Sequence, residues 1–572
     1  MNSGIAKNGL DISDRKIRSI RFAVMCRGTS FTAWEADCLQ KLLSLPNVEI
    51  ALLIIDDNTS KAYGNLRKFK ILWSLYWRFL VMFRSRAYRC VDMSSALSQV
   101  PSIRCMTLSN GKQPQSFKSS DISEIRQYDL DFILRFGFDF VCGEILEAPR
   151  YGIWSFHHGD EEKYRGCPPA FWEIYHGDNV TGAVLQRLTG RFDAGIILRK
   201  GFFRTLTTSY VNNLDEVLFQ TSGWPAQVCI DIQNGTAGYF DAPPSGTFAS
   251  VQNNPGNLQM GLFFIRIAGN FFKKMFRYLF CDQWNIGIVD SPIHDFLTPD
   301  FTPEIKWLPV SSDRNFVADP FGIKYAGQIH ILFEELDYRS TKGHISSASF
   351  NGLDFSSANT VINEPFHMSY PYLIEYKGGI YCIPETGAAG EVALYAFEEF
   401  PFRWKKAATL IRNFSGLDST VFQYDGLWWL FATDQNDGFN YKLKIWHADD
   451  LFGPWQPHAN NPVKMDIRSS RPAGTPFFYN GYLYRPVQDC SHTYGGQICF
   501  NRILRLTASE FREETAVAVE PFKNTPYPDG LHTISAVGDM TLIDAKRKVF
   551  IVKNLSMMVY KIKDIFSKLK GN

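Results

Sequence analysis

The stretch WSFHHGDEEKYRG, from Trp154 to Gly166, decides how the first part of this chain folds. The preceding apolar segment, Tyr128 to Phe140, predicts a buried strand running into a loop, and Tyr151 to Phe156 predicts a second short strand. Both strands would end at one edge of an open α/β sheet, where binding sites usually lie. His157 therefore stands where a strand opens into a cleft.

A second segment contains the carboxylate that a proton-transferring histidine needs. Asp193, in the sequence FDAGIIL, follows 36 residues after His157. A histidine works as a proton shuttle when a carboxylate orients it, and the two usually come from separate segments of an α/β fold. The pair is typical of an acyl-transfer site.

At these residues the chain resembles the formyltransferase family, which includes methionyl-tRNA formyltransferase and the sugar N-formyltransferases that use 10-formyltetrahydrofolate. The family pattern is Asn-x-His, then Arg-Gly, then an Asp before Ala/Thr-Gly. His157, Arg165 with Gly166, and Asp193 match this pattern in register. The Asn position holds Ser155, which lacks the amide that the family aims at the developing oxyanion. A missing oxyanion donor typically costs about 100- to 1000-fold in rate.

The resemblance implies an open parallel-sheet α/β domain and roles for particular residues. His157 would relay the proton of an attacking amine, Asp193 would orient His157, and Ser155 would hydrogen-bond the oxyanion. The residues that the resemblance places around the folate are Phe136, Gly137, Phe138, Arg165 and Gly166; those that it places near the substrate are His158 and Asp160. Each also has a structural interpretation: core packing for the aromatic loop, a cleft wall for His158, and a solvated loop for Asp160.

Composition narrows the classes of protein. The chain has 572 residues, 15% of them aromatic, so we expect two or three ordered domains. A net charge of +2 gives no reason to expect a nucleic-acid partner and favours a small-molecule substrate over tRNA. The 11 Cys are dispersed without a C-x-x-C pair, which predicts no metal site and suits a reducing cytoplasm. The first sixteen residues are polar, so a cytoplasmic location without a signal peptide is expected.

The order of segments predicts the domain boundaries. Strand, helix and strand patterns at Ile20 to Cys26, Thr32 to Leu45 and Val48 to Asp56 give a βαβ opening. A turn-rich linker covers Ala242 to Gly256. We therefore predict a flexible tail at 1–16, the formyltransferase-like domain at 17–245, a linker with an amphipathic helix at 246–283, and a separate domain at 284–572.

The last domain contains an internal repeat. Hairpin-like copies begin at Asp319, Ser369, Asp418, Arg471 and, more loosely, His532, and most of them turn on a Gly. Five copies predict a five-bladed β-propeller with its inner strands around a funnel. This part resembles the arabinanase/levansucrase-type propellers, and with QWNIGI at 283–288 it is similar to the N-terminal domain of plant glucosamine inositolphosphorylceramide transferases.

Charged residues at the blade positions are candidates for ligand binding in the funnel. The set consists of Asp319, Glu335, Glu385, Asp418, Asp434, Arg471, Arg485 and His532. Glycoside cleavage needs two carboxyl groups about 5 to 9.5 Å apart, one protonated and one ionised. The mixture of signs is as compatible with binding a sugar, phosphate or carboxylate. From this set we select Asp319, Glu385, Asp418 and Arg471 as substrate-binding residues.

Two aromatic and basic stretches, Ile71 to Phe83 and Gly261 to Cys281, fall short of the ~20 apolar residues of a membrane span. Both predict helices packed on their own domains, with peripheral contact to a membrane surface as the alternative.

Three functions remain open from the sequence. The first is formyl transfer from 10-formyltetrahydrofolate to the amine of an amino sugar or nucleotide-linked sugar, beside a propeller that binds carbohydrate. The second is a glycosidase or glycosyl-transfer activity of the propeller, with a first domain that has lost catalysis. The third is a glycan-binding protein without chemistry.

Overall fold

The computed structural model describes residues 19–58, 70–107, 115–190, 195–247, 249–309, 315–338 and 342–550. Asp193, the predicted tail at 1–16 and the end of the chain after Phe550 lie outside the described residues. The chain divides into two compact units. The first consists of Met1–Arg165, Ala183–Arg199 and Asp215–Val251, and the second of Gly166–Gly182, Lys200–Leu214 and Gln252–Asn572.

The part of the chain before the propeller mixes strands and helices. Its strands are β1 Ile20–Cys26, β2 Ser30–Thr32, β3 Val48–Asp56, β4 Cys90–Asp92, β5 Ser102–Cys105, β6 Gln115–Ser116, β7 Phe132–Arg135, β8 Val141–Cys142, β9 Ile153–His157, β10 Arg165–Gly166, β11 Val180–Arg187, β12 Ile196–Arg204 and β13 Val251–Gln252. Its helices are α1 Ala33–Leu43, α2 Ile71–Tyr76, α3 Met82–Arg84, α4 Ser119–Arg126, α5 Trp172–His176, α6 Tyr210–Thr221, α7 Trp224–Asn234 and α8 Asn257–Arg277. A π-helical turn, Trp77–Val81, joins α2 to α3.

Seven of these strands form one sheet in the order β12-β11-β9-β7-β1-β3-β5. The pairs β1/β3, β1/β7, β3/β5 and β7/β9 are parallel, and β11 is antiparallel to β9. This confirms the predicted open α/β sheet. The strand order reverses at β1, so the carboxyl ends of β1 and β7 border the crevice in which such sheets bind ligands.

Local sequence explains the opening of this unit. In β1, IRFAVMC, six of seven residues are buried because parallel strands are covered on both faces. Helix α1 begins after Thr32, whose backbone N–H donates to the Glu35 carboxylate at 2.9 Å and closes a capping box. Later in the chain, α6 ends at Thr221 and α7 starts at Trp224, so Gly223 lies between the two helices.

The propeller is built of short antiparallel strands. They are β14 Phe280–Val289, β15 Ile305–Trp307, β16 Asn315–Tyr325, β17 Gln328–Asp337, β18 Gly343–Phe350, β19 Asn359–Ile362, β20 Ser369–Tyr376, β21 Gly379–Glu385, β22 Glu391–Glu399, β23 Arg403–Arg412, β24 Gly416–Tyr424, β25 Leu427–Asp434, β26 Lys442–Ala448, β27 Gln456–Pro457, β28 Lys464–Met465, β29 Phe477–Tyr479, β30 Tyr482–Asp489, β31 Gln497–Leu506, β32 Phe511–Val519, β33 Ile534–Val537 and β34 Met540–Phe550.

These strands form five blades, which confirms the predicted architecture. Their orders are β15-β14-β34-β33, β16-β17-β18-β19, β20-β21-β22-β23, β24-β25-β26-β27 and β29-β30-β31-β32. The blade that holds β14 and β34 joins the two ends of the propeller, with Phe280 opposite Phe550. Because β14 begins at Phe280, the blade starts before the predicted boundary at Trp284.

The Gly-containing turns have one geometry. In the hairpins β16/β17, β20/β21, β24/β25 and β29/β30, both turn residues have positive φ: Ala326-Gly327, Lys377-Gly378, Asp425-Gly426 and Asn480-Gly481. Two successive positive φ values define the type I′ turn, whose twist matches that of the flanking strands.

Candidate functional site

The end of β9 lies beside the end of β7, and their side chains interact. Arg135, the last residue of β7, pairs in register with Ser155 of β9. Its guanidinium donates to the Ser155 Oγ from Nη2 at 2.7 Å and from Nε at 3.2 Å. Nη1 donates to the backbone carbonyls of Phe138 and Asp139 at 3.1 and 2.9 Å. Ser155 is only 1% exposed, so its hydroxyl anchors the guanidinium under the edge of the sheet.

His157, the last residue of β9, is half-buried and held by the loop that follows it. Its Nε2 lies 2.8 Å from the backbone carbonyl oxygen of Tyr164. A carbonyl oxygen can only accept a hydrogen bond, so Nε2 carries the proton and Nδ1 holds the lone pair. Gly159 makes room for this bond, since a Cβ there would lie 3.1 Å from Nε2 and 3.0 Å from the Tyr164 oxygen.

His158 is packed in the core rather than on an open cleft wall. Its ring stacks on Phe156 at 5.4 Å and meets Trp34 edge-to-face at 5.3 Å. Its Nε2 lies 3.1 Å from the Thr221 hydroxyl, which itself donates to the Val217 carbonyl. Burial, with a smaller contribution from His157, lowers the pKa of His158 to about 3. These contacts assign His158 to packing and leave the predicted substrate contact without support.

The loop after β7 divides between core and cleft. Phe138 is buried against Phe117 at 5.2 Å, so its ring belongs to the core. Phe136 is half-buried and meets Trp34 edge-to-face at 5.4 Å. Gly137 is required by close approach, because a Cβ would lie 3.0 Å from the Cys26 carbonyl carbon at the end of β1. Of the three predicted residues, Phe136 is therefore the one with a partly exposed ring.

The loop 158–166 is ordered by its own hydrogen bonds. The Asp160 backbone carbonyl accepts from the N–H groups of Lys163 and Tyr164 at 2.9 and 2.6 Å, and its carboxylate accepts from Glu162 N–H at 3.2 Å. Arg165 donates from Nη1 to the Ala249 carbonyl at 3.2 Å, and Gly166 follows it with a positive φ of 89°. Asp193, the predicted partner of His157, lies outside the described residues.

In the propeller, a bulge in three inner strands places one residue per blade toward the others. Asp319, Tyr370 and Asp418 all have positive φ and interrupt the pairing register of β16, β20 and β24. The Tyr370 N–H donates to the Asp319 carboxylate at 3.2 Å, and the Asp418 N–H donates to Glu385 at 3.3 Å. In the blade that begins with β20, the equivalent of Asp319 is therefore Tyr370, one residue after Ser369.

The buried polar residues of the inner strands and their partners form a cluster in the propeller. One half of this cluster is a carboxylate–imidazole–carboxylate bridge. His532 lies between Asp544, 2.7 Å from Nδ1, and Asp319, 3.3 Å from Nε2. Burial opposes charge on the ring, but both carboxylates stabilise it and together raise the pKa of His532. Burial raises the pKa of Asp319 to about 6. Thr533 donates its hydroxyl to Asp319 at 2.6 Å, which completes the bridge.

The other half is an arginine clamp on Asp418. Arg471 donates from Nε and Nη2 to the two carboxylate oxygens at 2.5 and 3.2 Å, and Gln488 adds a bond at 2.7 Å. Burial, followed by the Asp418 carboxylate, raises the pKa of Glu385 to about 8. At neutral pH Glu385 therefore keeps its proton beside a clamped carboxylate. Tyr494, 36% exposed, lies 5.0 Å from the Arg471 guanidinium.

Three residues predicted for the funnel belong to other contacts. Glu335 accepts from Ser346 within its blade, Asp434 pairs with Lys444, and Arg485 pairs with Glu513. The residues that the sequence analysis missed are Arg135 in the first unit and Glu334, Gln488, Tyr494 and Asp544 in the propeller. Burial and the carboxylates around it raise the pKa of Glu334 well above its usual range. The sequence signal for Arg135 was its position as the charged last residue of the otherwise apolar strand FILR.

Among the described residues, one group of side chains has potential metal ligands within 4.8 Å of one another. It consists of Asp319, His532 and Asp544. Both His532 nitrogens already face carboxylates, so the imidazole occupies the centre of the group. The arrangement acts as an internal ion bridge.

Comparison with known proteins divides the chain in the same way. Residues 306–526 match the family model described as glucosamine inositolphosphorylceramide transferase 1, N-terminal. The glucosamine inositolphosphorylceramide transferase 1 of Oryza sativa subsp. japonica is 37% identical over 206 residues, which cover 35% of this chain and 28% of that protein. The chain thus spans about a quarter of the length of these relatives.

Formyltransferases form the second group of relatives. The methionyl-tRNA formyltransferase of Agathobacter rectalis is 29% identical over 127 residues, covering 21% of this chain and 40% of that protein. The bifunctional polymyxin resistance protein ArnA of Wigglesworthia glossinidia brevipalpis is 38% identical over 69 residues, covering 12% and 11%. The chain joins a formyltransferase-like unit to a five-bladed propeller.

Solved structures resemble each part weakly. Glycinamide ribonucleotide transformylase 1 from Symbiobacterium toebii has a TM-score of 0.27 at 16% identity and covers 40% of this chain and 93% of its own. Zg3597, a family 117 glycoside hydrolase of Zobellia galactanivorans, has a TM-score of 0.32 at 14% identity and covers 47% and 91%.

Proposed function

We propose that the first unit transfers a formyl group from 10-formyltetrahydrofolate to the amine of an amino sugar or nucleotide-linked sugar. The observation that supports this most strongly is the pairing of an oriented base with a fixed cation at one sheet edge. His157 and Arg135 end the neighbouring parallel strands β9 and β7, and each is held in place by backbone carbonyls.

His157 is prepared to accept a proton. Its Nε2–H is bonded to the Tyr164 carbonyl, so the Nδ1 lone pair is the basic atom of the ring. An amine that attacks a formyl carbon becomes more acidic as the new C–N bond forms, so its proton is more easily removed. Removal of this proton by a positioned imidazole contributes typically about 100- to 10,000-fold.

Arg135 stabilises the developing oxyanion in place of the missing amide. The guanidinium places a full positive charge next to Ser155, the position at which the family has its Asn. A carbonyl oxygen under attack gains negative charge, which a fixed cation stabilises without reorganisation. In this proposal Ser155 is a positioning residue for Arg135 and no longer touches the oxyanion itself.

The folate requires a flat apolar surface and an open edge near His157. The half-buried Phe136 ring offers such a surface beside Trp34, whereas Phe138 is part of the core. When bound, the cofactor would supply the formyl group, and its N10 nitrogen would leave as the amine of tetrahydrofolate with the proton that the acceptor has lost. The acidic run Asp160–Glu162 next to His157 suits recognition of the acceptor's ammonium.

Ligand-induced stabilisation tests the cofactor part separately. A folate analogue at about 100 times its Kd would raise the free energy of unfolding of the unit that binds it by about 2.7 kcal/mol. We expect the analogue to raise the Tm of the full chain, and Phe136→Ala to abolish the rise. Phe83→Ala, which removes a ring that is 80% exposed, serves as the matched control. An unchanged Tm at saturating analogue would contradict folate binding.

A second candidate function, carbohydrate binding or glycoside chemistry in the propeller, has one observation in its favour. Glu385, which burial and the Asp418 carboxylate keep protonated at neutral pH, accepts a hydrogen bond from the Asp418 backbone N–H, and a protonated carboxyl group beside a carboxylate is one requirement of glycoside cleavage. However, both oxygens of Asp418 are occupied by Arg471 and Gln488. This saturation favours binding over cleavage.

The partly exposed ring of Tyr494 is the place to test that binding. Substitution of the buried Asp319 or Asp418 would break internal bonds, whereas Tyr494→Ala removes a surface on which a sugar can stack. We expect calorimetry against a glycan and sugar-nucleotide panel to show weaker binding for Tyr494→Ala. Tyr482→Ala, which removes a 47% exposed ring beside the β29/β30 turn, should bind as the wild type does. Equal binding by both variants would show that the ligand does not bind at Tyr494 in the funnel.

A further inference from the structure

Helix α8, Asn257–Arg277, has two apolar sides, of which only one is covered. Met260, Phe263 and Met275 are buried, and Phe263 stacks on Phe171 at 4.5 Å. The other side is exposed: Leu258 80%, Leu262 50%, Ile265 70%, Phe272 70% and Phe276 59%. The exposed apolar side therefore remains after the helix has packed on its own unit.

The exposed residues form one continuous line along the helix, which we call the α8 stripe. They are Leu258, Leu262, Ile265, Gly269, Phe272 and Phe276, and their spacing alternates between four and three residues. At 3.6 residues per turn such positions share one face. Singly scattered exposed apolar residues are ordinary on a protein surface, but five large ones on one helix face, interrupted only by Gly269, mark an interaction site.

The border of the stripe is basic. Arg266, Lys273 and Arg277 each directly follow a stripe residue, so they lie about 100° around the helix from it, along one border. Lys274 adds a fourth positive charge, and α8 contains no Asp or Glu. A large apolar face with Lys and Arg beside it is typical of helices that lie in the plane of a lipid–water interface.

Charge decides among the possible occupants of the stripe. A second copy of α8 would bring four positive charges against four. The C-terminal segment 551–572 carries five Lys and one Asp, so it too would add positive charge beside a basic border. Like charges at close range destabilise a contact, whereas anionic lipid attracts each Lys or Arg near its surface. Among these occupants, an anionic bilayer alone complements both the apolar stripe and its basic border.

We propose that α8 docks the protein on the surface of an anionic bilayer. The stripe enters the boundary between headgroups and acyl chains, and Arg266, Lys273 and Arg277 pair with lipid phosphates. None of the helices in the described part of the chain is long and apolar enough to cross a membrane. A helix that lies in the interface makes a peripheral contact, and its electrostatic part weakens as salt screens the charges.

Vesicle flotation of the full chain tests the proposal. Vesicles of phosphatidylcholine mixed with phosphatidylserine should carry the wild type upward, and phosphatidylcholine alone should carry much less. Ile265→Ser with Phe272→Ser should lower the bound fraction at least about tenfold. Lys273→Gln with Arg277→Gln should lower binding to the anionic vesicles about fivefold per charge, with little change on neutral ones.

Matched controls separate the stripe from general exposure. Leu353→Ser with Phe402→Ser removes residues that are 72% and 58% exposed outside α8, and should leave flotation unchanged. All variants should keep the wild-type Tm, because the substituted side chains are exposed. Three results would overturn the proposal: a wild type that does not float, a stripe variant that floats equally well, or a wild-type dimer that the stripe substitutions dissociate.

Discussion

At the residue scale, two adjacent histidines have opposite environments. His157 ends β9 with its ring held by one backbone carbonyl, and His158 is buried between aromatic rings. The proposed function requires that only the first take part in proton transfer. Because the two histidines are adjacent in the sequence, substituting each in turn separates a catalytic effect from a packing effect.

We predict that His157→Ala loses formyl transfer with an unchanged Tm, because the ring is only half-buried and is held by one described hydrogen bond. His158→Ala should instead lower the free energy of unfolding by about 2 to 4 kcal/mol, as removal of a buried ring leaves a cavity. Thermal unfolding and activity per folded molecule, measured side by side, check this. An inverted pattern would show that His158 is the working residue.

Arg135 gives the next prediction. Arg135→Ala should slow formyl transfer about 100- to 1000-fold, the typical loss when an oxyanion stabiliser is removed. Arg135→Lys should recover only part, because an ammonium lacks the planar fork that grips Ser155. The double variant Arg135→Ala/Ser155→Asn restores the family's amide and should be faster than Arg135→Ala alone. If Arg135→Ala retains wild-type kcat/KM, the guanidinium has no electrostatic role.

Two glutamates in the propeller predict opposite pH dependence. Burial, then the Asp418 carboxylate, raises the pKa of Glu385 from 4.5 to about 8, so the folded protein holds a proton that the unfolded chain releases. Its contribution to the free energy of unfolding is therefore largest at low pH and falls as the pH rises from about 4.5 to about 8. Glu385→Gln, which mimics the neutral acid, should become more stable than the wild type toward high pH.

Glu335 is the matched control. The neighbouring His344 imidazole, 3.7 Å away, together with hydrogen bonds from Ser346 and Asn315, lowers its pKa to about 2. Its stabilisation is present above the unfolded value of 4.5 and is lost as the pH falls toward 2. Glu335→Gln should therefore be less stable than the wild type at neutral pH and approach it in acid. Parallel curves of denaturant unfolding against pH for the two variants would contradict both assignments.

At the element scale, the loop after β9 depends on Gly159. A Cβ at this position would lie 3.0 to 3.1 Å from both atoms of the His157–Tyr164 bond, and these must move apart to admit it. Gly159→Ala should lower kcat at least about tenfold, since small displacements of a catalytic group are costly. Gly238→Ala, where a Cβ meets nothing within 4 Å, should keep full activity. Equal activity of the two variants would show that the bond does not orient His157.

The elements also show where sequence patterns are sufficient. Periodicity and turn residues predict the βαβ opening and the five hairpins, because these depend on local geometry. The start of β14 was missed because Phe280 to Gln283 pair with Arg547 to Phe550, far away along the chain. The choice of Glu335 over Glu334 failed because neighbouring strand residues point to opposite faces and the bulge in β16 shifts the register.

Spacing predicts the base of the candidate site but not the groups around it. His157 and Arg165–Gly166 have the spacing of the formyltransferase motif, and this spacing can be read from a single sequence. The bond between Arg135 and Ser155 joins two strands that are adjacent only in the folded sheet, so no local pattern reveals it. The same holds for the bridge of Asp319, His532 and Asp544 across the ends of the propeller.

At the scale of the whole molecule, one chain carries a unit with an oriented base and a propeller with a satisfied polar centre. The first unit has the more available chemistry, because the His157 lone pair is not used by any described internal bond, whereas the Asp319 and Asp418 carboxylates are saturated. We therefore propose that the propeller serves recognition and that α8 serves attachment.

Mass spectrometry of the full chain with 10-formyltetrahydrofolate and a panel of amino sugars and nucleotide-linked amino sugars tests the central claim most directly. We predict that at least one acceptor gains one formyl group, that His157→Ala yields none of this product, and that folded His158→Ala still yields it. No formylated acceptor from the wild type, or equal product from His157→Ala, would contradict the account.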